Sequence, residues 1–123
     1  MNQQTWDVGD LVGEKKKTEE LKEMTIRERV LEEAKRAVCQ DRNNQYGEPE
    51  RNFDTIADMW ADYLRGCGVS IDFLEPWDVA AMMIQLKLSR IASAKEKPTF
   101  DTLVDIAGYA ACAAECIFGK EAE

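Results

Sequence analysis

Two cations, Lys87 and Arg90, fall within what should be the apolar face of a helix. The segment WDVAAMMIQLKLSRIA has helical spacing, and at about 100° per residue its large apolar side chains form one broad arc. Lys87 and Arg90 lie beside Met83 on that arc, away from the polar side of the helix. Because a desolvated charge costs several kcal/mol unless it is paired, we expect an anion to meet them. Carboxylates of the same fold or the phosphate of a ligand would satisfy this need.

Two carboxylates on the next predicted helix are candidates for that anion. Asp101 and Asp105 stand one turn apart in DTLVDIAGYAACAAEC, on a stripe that continues through Tyr109. A short turn between the two helices would place them opposite the two cations. In one interpretation, the four charges form a buried salt-bridge cluster that fixes helix register. In the other, the cations clamp a ligand phosphate, Asp101 and Asp105 hold Mg²⁺, and Tyr109 orients one carboxylate.

A polar segment between the first two predicted helices offers groups for recognising a base or a sugar. It reads RNNQYGEPER, in which Asn44 and Tyr46 lie close to Gly47. Amide and phenol groups suit hydrogen bonds to base or sugar edges, so Tyr46 and Asn44 are candidate ligand contacts. The same residue types also favour a plain turn, and Pro49 limits helix on its N-terminal side.

The chain contains no histidine, which excludes several catalytic classes. Ser-His-Asp triads, Cys-His pairs, HExxH metalloproteases and the usual zinc deaminases all need an imidazole. Any catalysis would depend on carboxylates, Lys, Arg, Tyr or Cys, together with a hard metal such as Mg²⁺ that oxygen ligands hold. The four cysteines contain no CxxC pair, and we expect them to be small core residues of a reduced protein.

Composition and charge narrow the choice of partners. The chain has 123 residues, 45% of them hydrophobic and 33% charged, which is typical of one small globular domain. Its formal net charge of −8 argues against nucleic acid or an anionic membrane as the main partner. The sequence has no apolar run of transmembrane length and no signal-peptide pattern at its start, so we expect a cytoplasmic protein.

Helical periodicity predicts an all-α fold, a small bundle of about four helices preceded by an arm. Residues 1–23 are predicted to be an N-terminal arm, either mobile or packed on a partner, and residues 24–123 the all-α domain. TIRE at Thr25 is a capping box that begins the first helix, which is expected to end near Gln40. The other helices are predicted over residues 50–65, from Pro76 to a point before Lys97, and over residues 100–118.

The fourth predicted helix has almost no solvated face after Asp105. It is rich in alanine, and only Glu115 is charged before the C-terminal tail. A helix that is apolar nearly all round is usually buried on several sides, and one small domain can hardly cover it. We therefore expect a homo-oligomer in which residues such as Ala110, Ala114 or Ile117 are partly covered by another subunit.

Four stretches of the sequence together resemble a family of small phage and prophage domains of unknown function. They are YGEPERNF, IADMWADYL, DVAAMMIQLKLSRI and DTLVDIAGYAA. The family pattern is a YG-x-P-x-x-NF start, an MM-x-x-x-K-x-x-R helix and a D-x-x-x-D-x-x-GY helix. The last two helices are also similar to the nucleotide-modification-associated domains of phages. More remotely, they resemble the all-α nucleoside triphosphate pyrophosphatases of the MazG and dUTPase type.

The pyrophosphatase resemblance implies magnesium held by an E-x-x-E helix and an E-x-x-D helix. The only E-x-x-D of this sequence runs from Glu75 to Asp78, at a helix start, where the helix dipole favours carboxylates. The E-x-x-E from Glu20 to Glu23 lies in the charged arm. The chain therefore departs from the pyrophosphatase pattern at its metal ligands.

The expected function is binding of a nucleotide or a related phosphate metabolite, and the remote resemblance adds magnesium-dependent pyrophosphohydrolysis. The cations and carboxylates above would bind phosphate and Mg²⁺, and Tyr46 and Asn44 the base or sugar. The alternative is a non-catalytic oligomeric structural or interaction protein whose buried charges are purely architectural. A binding site needs a cavity beside Lys87 and Asp105, whereas an architectural cluster is closed and internally satisfied.

Overall fold

The computed structural model describes residues 23–119, and these residues form helices and no strand. The elements are α1 (Ile26–Arg36), a π-helical segment π1 (Ala37–Asp41), α2 (Arg42–Tyr46), α3 (Pro49–Gly66), α4 (Pro76–Ala92) and α5 (Phe100–Phe118). Because α1, π1 and α2 are continuous, they form one rod, and the predicted all-α bundle of about four helices is confirmed. The predicted arm lies, except for its last residue, outside the described part of the chain. None of the described helices is long and apolar enough to cross a membrane.

The long helices begin where the sequence supplies a cap or a proline. The Thr25 hydroxyl accepts from the Glu28 amide at 3.2 Å, as the capping box predicts. It also donates to the Glu28 carboxylate at 2.9 Å, so that carboxylate binds the hydroxyl rather than the Thr25 amide. Pro49 and Pro76 stand at the starts of α3 and α4, where the missing N–H costs nothing, and the Thr99 hydroxyl caps α5.

The first rod is longer than the sequence predicts, and it ends at a glycine. The turn expected around Asn43 and Asn44 is helical up to Tyr46, and Gly47, with a φ of 80°, leaves the helix. That left-handed conformation is unfavourable for a residue with a Cβ atom, so the break falls at the glycine rather than at the asparagines. The π1 segment inserts an extra residue into one turn of the rod, which rotates the α2 side chains relative to those of α1.

The core lies where α3, α4 and α5 meet. Phe53 and Ala57 of α3, Val79 and Ala80 of α4, and Cys112 of α5 form one buried cluster. The most extensive helix pair is α4 with α5, and α1 packs next to α5. Phe53 and Val79 are the largest fully buried side chains, so α3 is anchored on the N-terminal half of α4.

The π1 segment approaches α5 closely at a glycine. A Cβ atom at Gly108 would lie 3.0 Å from Cγ1 of Val38, closer than two non-bonded carbon atoms normally stand. Gly108 is buried, and Val38 packs beside the core cluster. The absent side chain therefore sets the distance between π1 and α5, and with it the position of α2.

We predict that Gly108→Ala destabilises the protein by about 1 kcal/mol. Overpacking a tight contact costs roughly 1–3 kcal/mol, and the higher helix propensity of alanine offsets about 1 kcal/mol of this. In a Val38→Ala background the clash is removed, and the same substitution should stabilise by about 0.5–1 kcal/mol. Urea unfolding of the four proteins in this cycle measures both values. The same sign in both backgrounds would mean that Val38 does not limit the approach.

Candidate functional site

One of the predicted charge contacts is present and joins α4 to α5. Lys87 Nζ lies 2.9 Å from Asp105 Oδ2. The Lys87 side chain is 12% exposed and that of Asp105 is 45% exposed, so a largely buried ammonium is held by a carboxylate that is open to solvent on one side. The expectation that an anion meets Lys87 is confirmed, and the fold itself supplies that anion.

The other two predicted members of the charge cluster lie apart from this pair. Arg90 and Asp101 are exposed, and neither forms an ion pair with a residue that the structure describes. Arg90 follows Leu86, which is 44% exposed, on the same side of α4. The arc is therefore open to water at the last turn of α4. The prediction of a four-charge cluster is therefore wrong for Arg90 and Asp101.

A cation that the sequence analysis does not single out lies at the centre of the site. The guanidinium carbon of Arg42 is 4.6 Å from the centre of the Phe53 ring and 5.5 Å from that of the Tyr46 ring. Its Nη2 donates to Asn52 Oδ1 at 2.5 Å. Its Nε is buried without an acceptor, and no carboxylate among residues 23–119 forms an ion pair with it. Two rings and one neutral amide therefore hold this guanidinium, and part of its donor capacity is unused.

The sequence does carry a signal for Arg42. Arg42 and Tyr46 are four residues apart, a spacing that brings a cation beside a ring on a helix. The signal is informative only if residues 42–46 are helical, and Asn43, Asn44 and Pro49 favour a turn there instead.

Two adjoining cavities meet at Arg42 and Tyr109. The first, which we call the α5 cavity, has a volume of about 150 Å³ and lies between π1 and α5. The second, which we call the aromatic cavity, has a volume of about 230 Å³ and lies between α2, α3 and α4. The Tyr109 ring stacks on Phe53 with 6.3 Å between centroids. The α5 cavity is lined by Ala37, Val38, Arg42, Val104, Asp105, Gly108, Tyr109 and Cys112, and the aromatic cavity by Arg42, Tyr46, Asn52, Phe53, Ile56, Trp60, Val79, Met83 and Tyr109.

The structure brings some of the predicted site residues together and separates others. Tyr46 and Tyr109 line the aromatic cavity, and Asp105, with Lys87 bound to it, lines the α5 cavity. Asn44 is exposed and lines neither cavity. The three stretches of the sequence pattern therefore converge on one place. Their residues at the cavities are Tyr46, Asn52, Phe53, Met83, Asp105, Gly108 and Tyr109.

Asp101 and Asp105 do not form a metal site by themselves. No group of three or more His, Cys, Asp or Glu side chains in the described part of the chain is placed to hold a metal ion. In the E-x-x-D segment, Asp78 Oδ2 accepts from the Glu75 amide at 2.9 Å and so caps α4. Because Asp105 already pairs with Lys87, a Mg²⁺ ion there would need phosphate oxygens of a ligand among its donors.

The four cysteines are free thiols with two different environments. Burial raises the pKa of the Cys112 thiol, an effect that the nearby Arg42 opposes. Burial raises the pKa of Cys116 to about 11. Both thiols are therefore protonated at neutral pH and serve as small apolar groups rather than as nucleophiles. Cys39 and Cys67 are exposed, so the expectation of four core cysteines is wrong for these two.

We predict that Asp105→Asn destabilises the protein by about 1–3 kcal/mol and that Lys87→Met costs less. The asparagine leaves a largely buried ammonium without its carboxylate. The methionine removes that ammonium, keeps most of the stem, and leaves a carboxylate that water can solvate. Urea unfolding at pH 7 of the two single variants and the double variant measures the difference, and the double variant should be more stable than Asp105→Asn alone. If Lys87→Met costs more than Asp105→Asn, the buried charge is not the reason for the pairing.

Comparison with known proteins finds phage relatives. The gene 55 protein of Mycobacterium phage D29 is 36% identical over 85 residues, which cover 69% of this chain and 51% of that protein. The gene 55 protein of Mycobacterium phage L5 is 40% identical over 81 residues, which cover 66% of this chain and 47% of that protein. The chain thus spans about half the length of these relatives. No solved structure matches it.

A family model matches most of the helical part of the chain. The model is described as a domain of unknown function, DUF6378, and it matches residues 29–117. This confirms the resemblance to a small phage domain of unknown function, whereas the links to nucleotide-modification domains and MazG-like enzymes stay predictions. The matched residues include α2, both cavities and the Lys87–Asp105 pair. The chain therefore belongs to the DUF6378 family.

Proposed function

We propose that the two cavities bind a nucleotide or a related phosphate metabolite, with its phosphate at Arg42 and its base in the aromatic cavity. The observation that supports this most is the buried Nε of Arg42, which has no acceptor. Buried polar groups are nearly always hydrogen-bonded, and an exception calls for an explanation such as an absent partner. A phosphate oxygen would supply both the acceptor and the countercharge that the fold does not provide.

The aromatic cavity suits the flat part of such a ligand. Its walls include Tyr46, Phe53, Trp60 and Tyr109, and Arg42 and Asn52 add a cation and an amide. Small-molecule sites are typically apolar clefts with a small number of placed polar groups. Stacking of a base on an aromatic side chain contributes roughly 1–3 kcal/mol, which supports the assignment of the base to this cavity.

The Lys87–Asp105 pair would act at the phosphate end of the ligand. Asp105 lines the α5 cavity, and Lys87 lies behind it at 2.9 Å. Phosphate and carboxylate repel each other, so Lys87 or a Mg²⁺ ion must compensate. Asp105 is the carboxylate that would hold Mg²⁺ together with ligand phosphates. Asn44, Arg90 and Asp101 lie outside both cavities, and the proposal does not need them.

We predict that nucleoside triphosphates raise the melting temperature of the wild type but not that of Arg42→Met. At a ligand concentration of about 100 Kd, mass action stabilises by about 2.7 kcal/mol, which shifts a small domain by several degrees. The methionine removes the guanidinium, so the phosphate of the nucleotide loses the donor that it would bind. Differential scanning fluorimetry with ATP, GTP, CTP and UTP measures the shift.

The matched control for this experiment is Arg29→Met. The Arg29 guanidinium also lies over a ring, at 5.2 Å from the centre of Phe100, and its Nε is also buried without an acceptor. It lines neither cavity, and Glu33 lies 3.8 Å away. Arg29→Met should therefore keep the nucleotide response. A wild type that responds to no nucleotide, with or without Mg²⁺, would contradict the proposal, and a response retained in Arg42→Met would remove Arg42 from it.

Experiments with Mg²⁺ distinguish nucleotide binding from nucleotide hydrolysis. If Asp105 shares a metal ion with the ligand, Mg²⁺ increases the shift of the wild type and not that of Asp105→Asn. Pyrophosphate release from the same nucleotides, measured by ion chromatography, tests the pyrophosphohydrolase activity that the remote resemblance implies. Tight binding without release of pyrophosphate would leave the protein a binding domain.

A second proposal, homo-oligomerisation through α5, is favoured by the outer face of that helix. Leu103 and Ile117 are 44% and 42% exposed, and Ala110 and Ala114 are also exposed. At their spacing of three, four and seven residues these side chains share one stripe. An apolar stripe with small residues permits close approach of a second helix, and a second copy of the same stripe gives a symmetric contact.

We predict that the protein is at least a dimer at micromolar concentration and that Ala114→Glu makes it monomeric. The new carboxylate would be buried next to its symmetry mate without a countercharge. Sedimentation velocity gives the mass of both proteins, and Lys95→Gln, at an exposed position between α4 and α5, controls for the same loss of one unit of net charge. A folded wild-type monomer would overturn this proposal and leave the nucleotide proposal unaffected.

A further inference from the structure

We infer that Asn52 meets the exocyclic group at C6 of a purine or C4 of a pyrimidine, and that the aromatic cavity prefers bases with an oxo group there to bases with an amino group there. Guanine, uracil and thymine nucleotides belong to the first class, and adenine and cytosine nucleotides to the second. The inference rests on the proposed function and names the class of base that the same site takes. It follows from the orientation of one amide.

The orientation of the Asn52 amide is fixed by Arg42. A guanidinium has donors only, so the amide atom that stands 2.5 Å from Arg42 Nη2 must be the oxygen. If the amide were rotated by half a turn, Asn52 Nδ2 and Arg42 Nη2, which are both donors, would face each other at that distance. The Asn52 oxygen is therefore occupied, and Nδ2 is the amide atom that remains for a ligand.

The Nδ2 group of Asn52 is an unused donor on a residue that lines the cavity. Asn52 lines the aromatic cavity, and no hydrogen bond joins its Nδ2 to any residue of the described part of the chain. Nδ2 is also absent from the buried polar atoms that lack a partner, so it keeps accessible surface. It can donate to a ligand without a change in the fold.

The other fixed polar groups of this cavity are donors as well. The Trp60 indole N–H donates only, the Arg42 guanidinium, which the proposal assigns to the phosphate, also donates only, and no carboxylate lines the aromatic cavity. The two tyrosine hydroxyls can donate or accept and do not distinguish bases. The fixed polar side chains that line the cavity are thus donors, and an oxo group at the exocyclic position of the base is their complement.

An amino group at this exocyclic position opposes Asn52 Nδ2 with a second donor, whereas an oxo group accepts from it. The usual pairing of asparagine with adenine needs the amide oxygen as well as the amide nitrogen, and here the oxygen is taken by Arg42. An unpaired polar group in a desolvated site carries a large penalty in affinity. We therefore expect a discrimination of about tenfold or more between oxo and amino bases.

Two matched nucleotide pairs test the inference on the wild-type protein. GTP and ATP share the purine ring system, UTP and CTP share the pyrimidine ring, and all four carry the same triphosphate. Isothermal titration calorimetry should give a Kd at least about tenfold lower for GTP than for ATP and for UTP than for CTP. Equal affinities, or tighter binding of ATP and CTP, would overturn the inference. Binding that depends on Arg42 would still uphold the proposed function, and absence of all binding would overturn both.

Asn52→Asp tests the role of the amide directly. One carboxylate oxygen can keep the contact with Arg42, and the other then presents an acceptor where Nδ2 presented a donor. The preference should shrink or reverse, so that ATP and CTP gain relative to GTP and UTP. Asn44→Asp introduces the same charge at an exposed position that lines neither cavity and should keep the wild-type preference. If Asn52→Asp binds with the wild-type preference, Asn52 does not read the base. If it does not fold, as judged by circular dichroism, the two wild-type pairs still decide the inference.

Discussion

A guanidinium that is taken out of water without a carboxylate constrains both the core and the site of this protein. Desolvation of Arg42 costs several kcal/mol, and ring contacts with one amide hydrogen bond offset only part of that cost. One of those rings belongs to Phe53, which is also among the largest fully buried side chains and anchors α3 on α4. The residue that organises the core is therefore the residue that supports the cation. A change at Phe53 would alter stability and the cavities together.

Two cations in this molecule illustrate opposite ways of burying a charge. Lys87 is neutralised by Asp105 within the fold, whereas Arg42 has only neutral partners among residues 23–119. In a chain with a net charge of −8, a long polyanion meets repulsion from many carboxylates at once. A small phosphate that enters a cavity is exposed mainly to the charges within a Debye length, about 8 Å at physiological salt. The distribution of charge thus suits a small anion better than nucleic acid.

The sequence predicts the helices well because their ends depend on local chemistry. Thr25, Pro49 and Pro76 each act within one turn, and the structure places helix starts at or beside them. The contact between Lys87 and Asp105 can equally be predicted from the sequence, since it needs only two amphipathic helices and a short connection between them. Arg90 shows the limit of this reasoning. Periodicity gives the direction of a side chain, but not whether another helix covers it at the last turn of α4, where Arg90 is exposed.

The role of Arg42 could not be predicted from the sequence for a different physical reason, although its spacing from Tyr46 is a signal once the segment is known to be helical. Its position depends on the helix continuing through π1, and that continuation depends on tertiary packing against α5. Gly108 permits the approach of Val38, and local propensity at the two asparagines favours the opposite outcome. Tertiary contacts therefore override a local turn preference at the place where the cation enters the site. Such an override is expected at functional sites, where local and global preferences conflict most often.

The binding and the oligomeric proposals make different demands on α5, and the helix meets them on different faces. Asp105, Gly108 and Cys112 face the α5 cavity. Leu103, Ala110, Ala114 and Ile117 lie roughly opposite them by helical geometry and are exposed in the single chain. A second subunit on the outer face would restrain α5 without entering either cavity. Oligomerisation thus does not argue for a purely architectural role of the buried charges. Whether Arg42 binds an anion distinguishes a binding site from an architectural cluster. Lys87 does not distinguish them, because it is satisfied by Asp105 whether or not a ligand binds.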